Sequence, residues 1–193
     1  SNSQRETFEL SCIPPHESVP KFVKRDPSNS TILEEVVEAR ILPPAYFSHP
    51  LVEQALEQGH DAPRPLSFFM YGVPYALKDS VVGFWVIDVV TGQRFLSLIW
   101  RKRRFCRCGC RGWCTLCPIM LFYAWCLVAL CSGLNPLFRH DGAEFTFHDA
   151  LRLAAAGSPI GIQFIMMWLK SDWSEQVTTM GFPSWGDRLR PCM

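Results

Sequence analysis

The sequence predicts an α/β fold in which helices cover a mixed sheet and a helical arm precedes it. Three short segments rich in β-branched and aromatic residues follow one another between residues 66 and 100, which is typical of consecutive strands. A long apolar segment and a short amphipathic one come next, as expected for helices that pack on a sheet. Of the 193 residues, 48% are hydrophobic and 13% are aromatic. This composition supplies a full core and excludes a disordered chain.

An N-terminal arm is predicted over residues 1–64, with two short helices. Residues 1–29 contain four prolines among polar residues, which predicts an irregular segment. A capping-box pattern, Thr31 followed by Glu34, predicts a helix over Thr31–Arg40 that the following prolines stop.

The second helix of the arm is predicted over Leu51–Gln58, with Ser48 as its cap and Gly59 at its end. The stretch Asp61–Pro65 is then expected to be a linker. It leads into the main domain, predicted over 65–193.

The main domain is expected to begin with three strands, Leu66–Tyr71, Val81–Val90 and Arg94–Trp100. Thr91, Gly92 and Gln93 are typical of a hairpin turn, so the second and third strands are predicted to be antiparallel.

Helices are predicted for most of the remaining chain. They cover the apolar segment Ile119–Leu134, the amphipathic stretch His148–Ala156 and residues Ser174–Met180. The apolar run Ile160–Lys170 fits either a buried strand or a helix.

A basic block over residues 101–117 stands out because it contains no acid. The whole chain has a formal charge of +1, so the residues outside the block sum to about −5. Such a block predicts contact with nucleic-acid phosphates, and a solvated face is the alternative. Its cations are Arg101, Lys102, Arg103, Arg104, Arg107 and Arg111.

Five of the nine cysteines lie inside this block, in a stretch of twelve residues. They are Cys106, Cys108, Cys110, Cys114 and Cys117. A cluster this tight favours metal ligation over a disulfide framework, which spreads cysteines along the chain. Gly109 and Gly112 supply turns that would let the thiols converge on a tetrahedral Zn²⁺ site. Buried structural cysteines and a redox role are the alternatives. The polar first ten residues lack a signal-peptide core, which predicts an intracellular protein, nuclear or cytoplasmic.

The run from Phe105 to Leu116, Phe-Cys-Arg-Cys-Gly-Cys-Arg-Gly-Trp-Cys-Thr-Leu, resembles the hallmark of a mobile-element-like family multiplied in dinoflagellate genomes. The similarity covers about residues 66–193. It extends to Gly72-Val-Pro-Tyr75, Lys78-Asp79-Ser80, Gly83-Phe84-Trp85, Thr91-Gly92, Arg139-His-Asp-Gly142, Lys170-Ser-Asp-Trp173, Gly181-Phe-Pro-Ser-Trp185 and Pro191-Cys192. The family in turn resembles, more weakly, the catalytic core of plant CACTA-type transposases, which implies a ribonuclease-H-like fold. In the family pattern Cys117 is not a ligand.

The resemblance implies a fourth strand over Ile162–Lys170 with the catalytic carboxylate Asp172 at its end. Two-metal phosphoryl transfer needs a second carboxylate from a neighbouring strand, and the family pattern has an aspartate immediately before Gly72. This chain has Tyr71 there, which cannot bridge two Mg²⁺ ions. Asp79 is predicted in a loop and Asp88 in the middle of a strand, so neither replaces it. Asp172 is therefore either a catalytic ligand or an acid at a helix start.

The leading hypothesis is a transposase-like fragment without catalysis, whose zinc knuckle and basic patch contact nucleic acid non-specifically. A metal-dependent nuclease is a further hypothesis, which Tyr71 disfavours.

A membrane-associated or protein-interaction module that uses the hydrophobic segment 119–138 is the alternative. Residues 112–138 carry no charge and follow the basic block, as in a positive-inside pattern. Pro118 and Asn135-Pro136 confine the predicted apolar helix to about 24 Å, shorter than the roughly 30 Å of hydrocarbon in a bilayer.

Overall fold

A computed structural model describes residues 8–77, 79–110 and 112–171. It confirms an α/β fold with a four-stranded mixed sheet in these residues. The strands are β1 (Arg64–Ala76), β2 (Asp79–Asp88), β3 (Arg94–Arg101) and β4 (Phe164–Ser171). They lie in the order β3-β2-β1-β4.

The first three strands form an antiparallel meander, and β4 pairs with β1 in parallel. The predicted hairpin is confirmed: Gly92 has a positive φ of 72°, and its N–H donates to the Asp88 carbonyl at 2.8 Å. The ambiguous apolar run is a strand from Phe164 onward. Because β4 runs parallel to β1, the chain must cross over the sheet between β3 and β4, which places a helix on one face.

Six α-helices lie in the described residues: α1 (Pro15–Arg25), α2 (Ser28–Glu38), α3 (Pro44–Phe47), α4 (Pro50–Glu57), α5 (Trp113–Ser132) and α6 (Ala150–Ala155). Single 3-10 turns cover Lys102–Arg104 and Phe147–Asp149. The helix predicted at Ser174–Met180 lies outside the described residues.

The prediction of an irregular N-terminal segment is wrong, because α1 forms there despite its internal Pro20. Val19 and Val23 of this helix are buried in the same core as the sheet. Burial of apolar side chains outweighs the hydrogen bond that an internal proline removes.

The start of α2 was also predicted wrongly. The helix begins at Ser28, and the Asp26 carboxylate accepts from the Ser28 N–H at 3.0 Å. For α4, His49 Nδ1 rather than Ser48 accepts from the first turn. The predicted linker is wrong at its end, since Arg64 already belongs to β1.

Helix α5 packs across the sheet and closes the main core. The Tyr123 ring lies 4.6 Å from the Phe68 ring and 5.8 Å from the Phe84 ring, measured between centroids. The helix is longer than predicted: it begins at Trp113 and continues through Pro118. A proline there removes only the bond to the Cys114 carbonyl, while Leu116 and Ile119 are buried on either side of it.

A buried ion pair joins the sheet to the N-terminal helices. Arg64 and Asp88 are 1% and 0% exposed, and the guanidinium donates from Nε (3.0 Å) and Nη2 (2.8 Å) to the two carboxylate oxygens. Nη1 donates to the Asn29 carbonyl in α2 at 2.7 Å. Asp88 also accepts from the Val90 N–H and the Thr91 hydroxyl. Asp88 is thus the last residue of β2 and not in the middle of the strand, where it was predicted. Both oxygens of its carboxylate accept hydrogen bonds within the protein.

Replacing Asp88 with Asn (Asp88→Asn) should destabilise the fold by about 3–5 kcal/mol, because it leaves the buried Arg64 charge without its counter-ion. Urea denaturation of purified protein measures the change. The matched control is Arg139→Gln, which breaks the exposed pair with Asp141 (3.6 Å) and should cost less than about 1 kcal/mol. Equal losses would mean that burial of the Arg64 pair is unimportant.

Candidate metal centre

Four thiols converge between the end of β3 and the start of α5. The Sγ atoms of Cys106, Cys108, Cys110 and Cys114 all lie within 4.8 Å of one another. The chain reaches this point through the 3-10 turn Lys102–Arg104, and Cys114 is the second residue of α5. No other comparable group of metal-ligating side chains occurs in the residues that the structure describes.

The spacing of the sulfurs suits a tetrahedral ion. Cys108 Sγ and Cys114 Sγ are 3.7 Å apart. Four sulfurs placed about 2.3 Å from a zinc ion form a tetrahedron with edges of about 3.8 Å. A disulfide would need about 2.05 Å, and all four thiols are free. The four cysteines can therefore hold a metal ion such as zinc with small side-chain adjustments.

Backbone hydrogen bonds and two turns shape the loop around these thiols. The Cys106 N–H donates to the Thr115 hydroxyl at 3.0 Å, and the Trp113 N–H donates to the Cys110 carbonyl at 3.0 Å. Gly109 and Gly112 have positive φ angles of 91° and 89°, as the predicted turns require. The anchoring role of Thr115 was not predicted, because a single threonine carries no sequence signal for it.

Hydrogen bonds among the thiols and the backbone shift the pKa values of Cys110 and Cys114 in opposite directions. The Cys114 backbone N–H donates to Cys110 Sγ at 3.4 Å; this bond, followed by one from the Cys108 thiol, lowers the pKa of Cys110 to about 6. Hydrogen bonds to Cys110 and then Cys108 raise the pKa of Cys114 to about 12. The metal-free loop thus favours one thiolate, and a bound cation would deprotonate the other thiols.

Cys117 does not belong to the group of four. It is exposed on α5, and its role as a ligand stays a prediction. Outside the block, Cys126 is fully buried in the core, as expected for an apolar filler.

The basic residues beside the thiols are partly engaged within the protein. Arg103 Nε lies 3.2 Å from Asp79 Oδ2, and the Arg101 guanidinium lies 5.6 Å from the centre of the Tyr75 ring. Asp79 is thus not a loop acid: it opens β2 and accepts from the Tyr75 hydroxyl at 2.5 Å. That hydrogen bond, ahead of the Ser80 N–H and the Arg103 charge, lowers the pKa of Asp79.

The other basic side chains that were predicted to contact phosphates differ in their exposure to solvent. Arg104 stacks over the Trp100 and Phe8 rings at 5.8 and 5.5 Å, and Lys102 is half-buried. Arg107 is exposed and, with the described residues, makes neither an ion pair nor a ring contact. Arg111 lies outside the described residues.

The expected carboxylate site is incomplete in the described residues. Met70 pairs with Ser171 where β1 and β4 meet, and the next residue of β1 is Tyr71, whose side chain is 39% exposed. Asp172 lies outside the described residues. Since Asp79 and Asp88 are engaged elsewhere, the described chain places no second carboxylate at this point.

Comparison of the chain with protein-family models, with curated proteins and with solved structures finds no match. The transposase-like family therefore remains an expectation from the sequence pattern.

Replacing any one of the four clustered cysteines with serine should weaken metal binding more than the roughly 10–100-fold that loss of a supporting hydrogen-bond partner costs. Cobalt titration, followed by thiolate-to-metal charge-transfer absorption, measures the affinity. Cys108→Ser is the most direct test, and Cys131→Ser, outside the block, is the control. Cys117→Ser should leave the affinity unchanged, and a loss there would add Cys117 to the ligands.

The two glycines of the loop offer a matched pair of variants. Alanine at either position strains a left-handed backbone by about 1–2 kcal/mol. At Gly112 the new Cβ would also lie 3.3 Å from the Phe105 ring, whereas at Gly109 it meets open space. We expect Gly112→Ala to weaken cobalt binding more than Gly109→Ala. Equal affinities would show that the Phe105 contact does not position the thiols.

Proposed function

We propose that this chain is a transposase-like fragment, derived from a mobile element, that contacts nucleic acid through a zinc knuckle and a basic patch. It acts without catalysis, inside the cell, in the nucleus or cytoplasm. The observation that carries this function is the convergence of four thiols within 4.8 Å directly beside the arginines at the end of β3.

The sheet supports a ribonuclease-H-like assignment. Three consecutive antiparallel strands, a helix across the sheet and a fourth strand parallel to the first give the order β3-β2-β1-β4. This is the arrangement that the resemblance to transposase cores implies.

The residues at the meeting point of β1 and β4 support a loss of catalysis. Two-metal chemistry requires carboxylates from both strands to hold the ions about 3.5–4 Å apart. Tyr71 stands where the family pattern has an aspartate, and a phenol has one oxygen where a bridging carboxylate has two. Asp172 alone cannot assemble a two-metal centre.

Zinc is the metal that best suits the knuckle. Four thiolates in tetrahedral geometry are typical of structural zinc sites, and soft ligands select against Mg²⁺ and Ca²⁺. We expect about one equivalent of zinc per chain after purification under reducing conditions. Less than about half an equivalent would contradict a zinc knuckle.

Arg107 is the residue best placed to contact a phosphate, because it is exposed and lies between two of the clustered cysteines. Arg107→Gln should weaken binding to every DNA sequence alike and lower the slope of log affinity against log salt by about one. Fluorescence polarisation with labelled DNA at several salt concentrations measures the slope.

Arg94→Gln is the control for this prediction, because Arg94 is an exposed arginine at the opposite end of β3. If Arg107→Gln and Arg94→Gln changed the slope equally, the basic block would be a solvated face with no specific role.

Membrane association is a second candidate, favoured by the length of α5. The helix has 20 residues, and its most apolar 18-residue window has a mean hydropathy of 2.1. It spans about 30 Å, not the shorter length predicted from the sequence. Only 39% of its most apolar window is buried, and Val128 is 68% exposed. Core helices of soluble proteins can have this length and hydropathy, and Tyr123, Cys126 and Leu130 of α5 are buried in the core.

Carbonate extraction distinguishes the two candidates. A spanning α5 would keep the expressed protein in the membrane pellet, whereas a soluble domain with α5 packed on the sheet would be released. Retention in the pellet would contradict the proposed function, since α5 cannot span a bilayer and cover the sheet at once.

A further inference from the structure

A second feature adjoins the thiol cluster: a cleft of about 890 Å³. One wall is formed by Trp100 of β3 and the start of α5, including Cys114. The facing walls come from the N-terminal segment before α1 and from the loop that follows α5. Its volume lies in the range that holds small organic ligands or single nucleotides.

Aromatic rings line much of this cleft. They are Phe8, Trp100, Phe122, Trp125, His140 and Phe145. Phe8 is 47% exposed, and His140 is also exposed. Within the described residues the buried Trp100 Nε1–H has no hydrogen-bond partner. Aromatic faces beside polar groups are the surface on which unpaired bases stack.

The charges of the cleft favour a neutral ring over a phosphate. Arg139 pairs with Asp141, and Arg152 pairs with Glu17 at 2.6 Å and with Asp149 at 3.5 Å. With Glu9, Asp141 and Asp149 against these two arginines, the described lining carries a formal charge of −1. Beside the cleft, Arg104 stacks over the rings of both Phe8 and Trp100.

We propose that this cleft binds an unpaired nucleobase of a single-stranded nucleic acid while the neighbouring arginines hold its phosphates. The proposal rests on the proposed nucleic-acid function and specifies its ligand: single strands, not duplexes. A base in a duplex is stacked and paired, so it cannot enter the cleft without being extruded.

The test compares a labelled thymidine oligonucleotide with a duplex of the same length by fluorescence polarisation, using the full chain loaded with zinc. The single strand should bind more tightly. Phe8→Ala should weaken single-strand binding by about tenfold, as expected for the loss of one stacked base, and leave duplex binding unchanged. Phe8 is 47% exposed and lies outside the buried core, so the variant should fold.

Phe147→Ala is the matched control, because Phe147 is an exposed aromatic residue that does not line the cleft. It should leave both affinities unchanged. Photocrosslinking with 5-iodouracil in the oligonucleotide gives an independent readout, with adducts expected on Phe8, Trp100, Trp125 or His140.

Each other outcome is decisive. Equal affinities for the two nucleic acids, with Phe8→Ala neutral and Arg107→Gln still weakening both, would overturn the cleft and leave the proposed function standing. Crosslinks confined to residues 101–107 would also overturn the cleft proposal and leave the proposed function standing. No binding to either nucleic acid would overturn both.

Discussion

The ion pair of Arg64 with Asp88 is the constraint on which the rest of the structure depends. It lies where β1 begins and β2 ends, and its third donor reaches the Asn29 carbonyl of α2. The same carboxylate closes the turn into β3. Two desolvated charges are tolerable only when every donor and acceptor is matched, so this geometry sets the register of the hairpin and the position of the N-terminal helices together.

That register in turn positions the thiol cluster. With the β2–β3 pairing held, β3 ends at Arg101 and the chain has one 3-10 turn before the first cysteine. Helix α5 must begin soon afterwards, because Leu116 and Ile119 are buried in the same core as the sheet. The loop between these two fixed points is short, and its left-handed glycines fold it so that four thiols meet. The positions of the end of β3 and the start of α5 therefore determine how the four thiols are arranged.

Helix α5 takes part in three features at once. Its inner face completes the core through Tyr123, its first turn supplies Cys114 to the thiols, and its N-terminal half forms a wall of the aromatic cleft. A helix that is apolar on all sides is ambiguous in sequence between a core element and a membrane span. Packing of one face against the sheet favours the core, while the exposed Val128 side keeps an apolar surface available.

The sequence by itself determined the local features: three strands and their hairpin, the clustered cysteines and the basic block, all of which depend on neighbouring residues. It misplaced α1, because Pro20 argues locally against a helix that burial of Val19 and Val23 stabilises. It also assigned Arg64 to the linker, because a charged residue between two prolines is typical of a linker. The structure places Arg64 in β1, where it bonds Asp88, 24 residues later in the chain. The sequence pattern singled out four of the five cysteines. Only the tertiary structure brought their sulfurs within 4.8 Å of one another and paired β4 with β1 in parallel, because both depend on long-range packing.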